Sequence, residues 1–237
     1  ALGRSDNIAV GSIITGTGGL SQIGAGTSTL TGKDSYQGGT SINAGTLQVD
    51  SDARLGAASG GLALNGGTLQ TTADTSSQRQ VTLGANGGSF SPNAGTTLTA
   101  AGAIQGAGNL SQSGAGTLVL AGSNSYTGQT SINAGTLQLG NGGTTGNLGA
   151  GAVTNNGTLA FDRSDVVAVG NDIAGTGAVV QQGTGTTVLS GNNSYGGGTS
   201  INAGTLQVDS DARLGVASGA LTLDGGTLQT TADTTSQ

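Results

Sequence analysis

Residues 40–48 read Thr-Ser-Ile-Asn-Ala-Gly-Thr-Leu-Gln, and the same nine residues occur again at 130–138 and at 199–207. Each copy leads into a stretch in which apolar and polar residues alternate, as in Leu47-Gln48-Val49. A period of two is typical of a β-strand that buries one face and leaves the other in water. The stretch therefore predicts a strand that begins directly after a glycine.

The Gly-Thr pair that precedes such a strand recurs along the whole chain, at intervals of 19 to 28 residues with a mean of about 22. One short amphipathic strand per unit cannot bury its apolar face alone, so the units must stack to share a core. We therefore predict an all-β fold, a parallel β-helix (β-solenoid) of roughly ten coils of about 22 residues and ~50 Å in length. The glycines of these pairs are Gly26, Gly45, Gly67, Gly95, Gly116, Gly135, Gly157, Gly185, Gly204 and Gly226.

A longer duplication lies over this short period. Residues 4–78 align without gaps on residues 163–237 and are identical at 54 of 75 positions. The two intervals of 28 residues, which follow Gly67 and Gly157, allow two interpretations: a longer loop, or a coil that lacks the Gly-Thr signal. No shift in composition marks a second domain, so residues 1–237 are treated as one β-helical segment.

The composition excludes several classes of protein. The chain has 49 Gly but one Pro, which disfavours helices and excludes collagen. It has no His and no Cys, the commonest metal ligands, general bases and thiol nucleophiles, so we expect no cofactor and no metal. With 6 basic and 12 acidic residues it has no basic stripe for nucleic acid.

The same composition suits a chain that is exported. A chain without Cys can cross a membrane unfolded without premature crosslinks. No apolar run is long enough to span a bilayer, and residues 1–6 do not have the layout of a signal peptide. We therefore expect a mature interior segment of a longer protein.

Three longer segments resemble a known repeat. Residues 18–48, 108–138 and 177–207 read GGLSQIGAGTSTLTGKDSYQGGTSINAGTLQ, GNLSQSGAGTLVLAGSNSYTGQTSINAGTLQ and GAVVQQGTGTTVLSGNNSYGGGTSINAGTLQ. They closely resemble the passenger-associated transport repeat of autotransporter passengers in Gram-negative bacteria. The motif fixes glycines, a Ser-Tyr pair and the terminal Asn-Ala-Gly-Thr-Leu over some thirty residues.

The resemblance implies a right-handed parallel β-helix that is exported by type V secretion and displayed at the cell surface or released. It implies as partner the protein's own C-terminal β-barrel translocator, which would lie outside these 237 residues. Further partners implied are a host or bacterial surface protein or glycan, or another copy of the chain.

The sharpest polar constellation is Asp50, Asp52 and Arg54, which recurs as Asp209, Asp211 and Arg213. Two Asp at i and i+2 on a strand would share one face and could bind Ca²⁺ or act as an acid and base on a polysaccharide. The alternative is a solvated turn in which Asp and Arg pair weakly. These six residues are the surface candidates; no catalytic residue is assigned.

Two further sets of residues repeat with the motif. Tyr36, Tyr126 and Tyr195 are equivalent, and so are Asn43, Asn133 and Asn202. The tyrosines could be stacking platforms for a glycan, but the favoured interpretation is that each Tyr covers a loop and each Asn closes a turn by bonding its own backbone.

Three functional hypotheses remain. The leading one is a structural and adhesive stalk segment that supports secretion and attachment and is not an enzyme. The others are a carbohydrate-active β-helix enzyme that uses Asp50 and Asp52, and a rod that self-associates through its polar ladders.

Overall fold

The computed structural model describes residues 1–232 and is a parallel β-solenoid of about 11 coils, as predicted. Within these residues the only helical turns are two 3₁₀ helices, η1 (Asp52–Arg54) and η2 (Asp211–Leu214). In chain order the strands are β1 (Ile8–Val10), β2 (Leu20–Gln22), β3 (Thr27–Leu30), β4 (Thr40–Ile42), β5 (Thr46–Val49), β6 (Leu62–Leu64), β7 (Thr68–Thr71), β8 (Thr75–Ser77), β9 (Val81–Leu83), β10 (Gly88–Pro92), β11 (Thr97–Ala100), β12 (Ile104–Gly106), β13 (Leu110–Gln112), β14 (Thr117–Leu120), β15 (Thr130–Ile132), β16 (Thr136–Leu139), β17 (Val153–Asn155), β18 (Thr158–Phe161), β19 (Val166–Val169), β20 (Ile173–Ala174), β21 (Ala178–Gln181), β22 (Thr186–Leu189), β23 (Thr199–Ile201), β24 (Thr205–Val208), β25 (Leu221–Leu223) and β26 (Thr227–Thr230).

The rod has three faces, and one coil contributes a strand or a loop to each. Face 1 is a nine-stranded sheet in the order β1-β3-β5-β7-β10-β13-β15-β17-β20. Face 2 is an eight-stranded sheet in the order β8-β11-β14-β16-β18-β21-β23-β25. Face 3 consists of the sheets β2-β4-β6-β9-β12 and β19-β22-β24-β26, which are separated by loops stacked on β12.

Neighbouring coils stack residue on like residue. In the parallel pair of β5 and β7, Leu47 lies beside Leu69 and Gln48 beside Gln70. The inward leucines are buried and the outward glutamines are half-buried, which is the alternation the sequence predicted. Each fully buried leucine contributes about 1.5–3 kcal/mol of transfer free energy.

The core is one continuous cluster along the rod, from Leu20 to Val208. It consists mainly of Leu, Ile and Val, and the five aromatic residues of the chain also lie within it, all of them buried. A narrow lumen filled mostly by aliphatic side chains explains how a chain with 2% aromatic residues holds a core.

The two 28-residue intervals contain neither a long loop nor simply an additional coil. The strands after Gly26, Gly45 and Gly67 lie on face 1, as β3, β5 and β7. The next four Gly-Thr strands are β11, β14, β16 and β18 on face 2, and the last three are β22, β24 and β26 on face 3. Each long interval therefore spans one complete coil and then the further step from one face to the next. The Gly-Thr strand can change face because all three faces present the same pleated backbone to an alternating strand.

The three long repeats shift in the same way. Their first strands are β2 on face 3, β13 on face 1 and β21 on face 2, so each repeat starts one face further round the rod. The loop that contains the Ser-Tyr pair shifts with them and stacks on face 2, face 3 and face 1 in turn. The repeats therefore present the same loop on three different sides of the molecule.

Candidate functional site

The acidic turn after β5 holds the first of the predicted surface candidates. Asp50 Oδ1 accepts a hydrogen bond from Arg54 Nε at 2.7 Å, and Oδ2 accepts one from Nη2 at 3.1 Å. The guanidinium holds the pKa of the Asp50 carboxyl below its ordinary value. The second copy is built alike, since Arg213 Nε lies 2.7 Å from Asp209 Oδ1 and lowers the pKa of that carboxyl.

The prediction that Asp50 and Asp52 share one face of a strand is wrong. Strand β5 ends at Val49, the chain turns at Asp50, and Asp52 begins η1. Asp50 faces Arg54, whereas Asp52 faces a different guanidinium, that of Arg79. The turn interpretation describes Asp50 and Arg54 correctly, because their pair is solvent-exposed and such pairs contribute 0–1 kcal/mol.

Arg79 is a buried structural residue that the sequence reasoning missed. Its side chain is 1% exposed and pairs with Asp52 through Nε–Oδ1 at 2.9 Å and Nη2–Oδ2 at 3.1 Å. Its guanidinium also donates to the carbonyl oxygens of Gly56, Ala57 and Gly60, at 2.6 to 2.9 Å. The only signal in the sequence was a lone Arg two residues before the alternating strand Val81-Thr82-Leu83.

The tyrosines of the repeats are core residues and not stacking platforms for a glycan. Tyr36, Tyr126 and Tyr195 are at most 2% exposed. Each hydroxyl bonds the threonine four residues on, Thr40, Thr130 or Thr199, at 2.6 to 2.7 Å. Burial raises the pKa of all three hydroxyls, that of Tyr195 to about 12.

Two of the three repeat asparagines, Asn43 and Asn133, bond across coils, so the prediction that each asparagine bonds its own backbone is wrong for these two. Asn43 Nδ2 donates to Ser21 Oγ at 3.3 Å, and Asn133 Nδ2 donates to Ser111 Oγ at 3.0 Å. In the third repeat the serine position is Val180, which has no hydroxyl to offer. A neighbouring coil thus supplies the partner wherever its residue allows it.

A buried glutamine in each repeat is the second feature that the sequence reasoning missed. Gln112 Nε2 donates to the carbonyl oxygens of Gly114 and Gly116, at 2.9 and 3.0 Å, and so closes the turn before β14. Gln22 and Gln181 make the equivalent bonds. Their Oε1 atoms accept from Ser28 and Thr187, whereas Gln112 Oε1 has no partner because that position is Leu118.

Within residues 1–232 no three His, Cys, Asp or Glu side chains gather closely enough to hold a metal ion. None of the helices found in this part of the chain has the length and apolar character needed to cross a membrane.

Comparison with known proteins connects these features to a family. The family model described as passenger-associated-transport-repeat matches residues 20–49, 110–139 and 179–208. The chain therefore has the repeats and the fold of an autotransporter passenger. This passenger chain is also 44% identical over 218 residues to the adhesin BmaC autotransporter of Brucella suis biovar 1 (strain 1330).

That similarity covers 92% of this passenger chain but only 6% of the Brucella protein. No solved structure matches the chain. Each matched repeat contains one buried Gln and one buried Tyr with its threonine. The residues that the three repeats have in common therefore stabilise the inside of a coil.

Proposed function

We propose that the chain is a stalk segment of a surface-exposed autotransporter passenger, which supports export across the outer membrane and takes part in attachment. The observation that supports this most is the uninterrupted core, which runs from Leu20 to Val208 without a break between coils. A continuous rod of this kind projects material away from a surface. In this proposal residues 1–237 are one segment of a longer passenger, and the partner in export is that passenger's own C-terminal translocator.

The contacts support a role in export. Each coil pairs mainly with the coil before it and the coil after it, so a coil can fold as soon as its neighbour is in place. The buried Tyr–Thr and Gln–Gly bonds lie within single repeats and stabilise a coil before more distant parts of the chain arrive. Coils that fold outside the cell would then prevent the chain from sliding back.

Adhesion is proposed from the relative, which is named an adhesin. The partner would be a protein or glycan of a host or bacterial surface, or a second copy of the chain. The outward side chains could contribute, since Thr29, Gln48, Gln70 and Asn93 form a ladder of side-chain hydrogen bonds along face 1.

The carbohydrate-active alternative receives little support from the geometry. Paired-carboxylate hydrolysis needs one carboxylic acid with a raised pKa, facing the second carboxylate across the sugar. The pKa of Asp50 is lowered by Arg54, and Asp52 points to Arg79. We therefore propose that the chain is not an enzyme.

Export is tested by placing residues 1–237 between an export signal and an autotransporter translocator in a Gram-negative host. Antibody binding to intact cells then measures surface display. Gly114→Ala, which disrupts coil stacking, should lower display, whereas Gly18→Ala, at a position with open space, should leave it unchanged. Equal display of the two variants would contradict the role of coil stability in export.

Adhesion is tested separately with the purified chain immobilised on beads. Beads that carry the chain should bind epithelial or bacterial cells better than beads that carry an unrelated protein of similar net charge. If they do not, the segment is a spacer only and the attachment part of the proposal fails. The display result stands independently of this one.

A further inference from the structure

The chain contains four Asn-Gly pairs, at residues 65–66, 86–87, 141–142 and 156–157. In such a pair the glycine amide nitrogen can attack the side-chain amide carbon of the asparagine, because glycine has no side chain to obstruct the approach. The reaction releases the side-chain nitrogen and so converts an uncharged residue into a carboxylate. In a folded chain it proceeds only where the backbone of the pair can turn, and this requirement distinguishes the four pairs.

Three of the pairs are held between stacked coils. A Cβ added at Gly66, Gly87 or Gly157 would lie 2.5 to 3.3 Å from a backbone oxygen of a neighbouring coil. The side-chain oxygens of Asn65 and Asn156 also accept hydrogen bonds from backbone N–H groups of the next coil, at 3.0 and 3.2 Å. The backbone of these pairs can therefore turn only when coils separate.

The fourth pair lies in a loop that protrudes from the rod after β16. Residues 141–145 are all exposed. A Cβ added at Gly146 would lie 2.4 Å from Gly140 N, so the loop leaves the rod and returns to it at nearly the same place. A Cβ added at Gly142 or Gly143 meets nothing within 4 Å. Asn141 and Gly142 therefore have room to turn without any movement of a coil.

Backbone hydrogen bonds to the next coil hold this loop. Gly142 N donates to the carbonyl oxygen of Asp162, and Ser164 N donates to that of Gly143, each at 2.9 Å. The first of these bonds must open before Gly142 N can turn toward Cγ of Asn141. Opening of an exposed loop requires far less free energy than opening of packed coils.

We propose that Asn141 is a site of spontaneous deamidation in the folded protein. Gly142 N forms a bond to Cγ of Asn141, and the bond from Cγ to the side-chain nitrogen breaks, so ammonia leaves and a cyclic succinimide remains. Water then opens the ring at either carbonyl and yields aspartate or isoaspartate. Water is the only other reactant.

The modification changes the charge of an otherwise uncharged part of the rod. Residues 80–161, which include β9 to β18, contain no Asp, Glu, Lys or Arg. Deamidation of Asn141 gives this part its first carboxylate, at the tip of a loop that projects into solvent. The surface that the middle of the rod presents to a partner thus becomes negative with time.

The test compares the folded chain of residues 1–237 with the same chain unfolded in urea. Both samples are incubated at neutral pH and then digested with chymotrypsin, which cleaves after Leu, Phe and Tyr. The four Asn-Gly pairs are released in separate peptides, 65–69, 84–90, 140–148 and 149–159. Mass spectrometry with fragmentation then measures the fraction deamidated at each pair over time.

In the folded chain, Asn141 should deamidate at least about tenfold faster than the other three asparagines, because those pairs react only when stacked coils open. In urea the four pairs should react at similar rates, since none of them is then restrained. The proposal is overturned if Asn65, Asn86 or Asn156 deamidates as fast as Asn141 in the folded chain. It is also overturned if Asn141 keeps its amide there while the chain in urea is converted.

Two variants provide a second measurement on the intact folded chain. Ion-exchange chromatography should show a more acidic form that accumulates during incubation. Asn141→Gln should abolish this form, because glutamine would have to close a larger ring, which forms more slowly. Asn86→Gln is the matched control, at another exposed Asn-Gly pair, and should leave the accumulation unchanged. Accumulation at the same rate in both variants would contradict the assignment to Asn141.

Discussion

At the scale of single residues, the polar groups that matter are buried and not exposed. The surface pair of Asp50 and Arg54 is partly in solvent, whereas Arg79 is enclosed and ties η1 to the segment between β8 and β9. A buried charge that loses its partner is costly, and a surface pair is nearly neutral. Nothing in the sequence distinguishes Arg54 from Arg79, and only the fold shows that Arg79 is the buried one.

Replacement of Arg79 by Met tests this difference. The variant leaves Asp52 and the carbonyls of Gly56, Ala57 and Gly60 without their donor, so the free energy of unfolding should fall by about 3–5 kcal/mol. Arg54→Met is the matched control and should cost less than about 1 kcal/mol. Urea denaturation followed by circular dichroism measures both, and similar losses for the two variants would contradict the assignment.

Because the three tyrosines are buried, we expect the protein to lose stability at alkaline pH. Their folded pKa values lie above the ordinary value of 10, that of Tyr195 at about 12, because burial disfavours the phenolate. A raised folded pKa gives stability that is complete below pH 10 and is lost as pH rises toward 12. The chain has no Trp, so tyrosinate absorbance reports these three groups alone. Titration near pH 10 in the folded protein would show that they are not buried.

At the scale of elements, glycines set how closely the coils can stack. A Cβ added at Gly114 would lie 2.1 Å from the carbonyl oxygen of Pro92 in the coil below, whereas one added at Gly18 meets nothing within 4 Å. The sequence shows glycines directly before the predicted strands. It could not show which of them allow close approach, because that depends on the coil that lies underneath.

Gly114→Ala should therefore destabilise the chain strongly, by more than about 3 kcal/mol, since the backbone of two coils must separate. Gly18→Ala should be neutral or should stabilise by about 0.4–1 kcal/mol, because it lowers the entropy of the unfolded chain without strain. Thermal melts of the two purified variants measure the difference. Equal melting temperatures would show that the coils do not pack as described.

At the scale of the whole molecule, the sequence predicts the solenoid well but does not predict which face of the rod each repeated strand occupies. The alternation in stretches such as Leu47-Gln48-Val49 is local and predicts each strand without help from the rest of the chain. The rotation of the repeats by one face depends on the number of residues between them, and Gly67 to Gly95 reads equally well as a loop or a coil. The site was harder still, because Asp52 meets a partner 27 residues away in sequence.

A solenoid with one shared core and contacts between neighbours should tolerate the loss of a whole coil better than the loss of one residue inside a strand. Val81 of β9 lies beside Leu62 of β6 on one side and beside Ile104 of β12 on the other. Removal of residues 81–103 therefore lets β12 stack directly on β6 in the register that β9 now has. Leu139 is fully buried in the intact chain. Removal of Gln138 alone shifts Leu139 to the outer face of β16. We expect the 23-residue deletion to unfold cooperatively with a rod shortened by ~5 Å in solution scattering. The one-residue deletion should lose about 2–5 kcal/mol, because a core leucine becomes exposed and its site is left unfilled. If the long deletion proved the more damaging, the coils would not be independent stacking units.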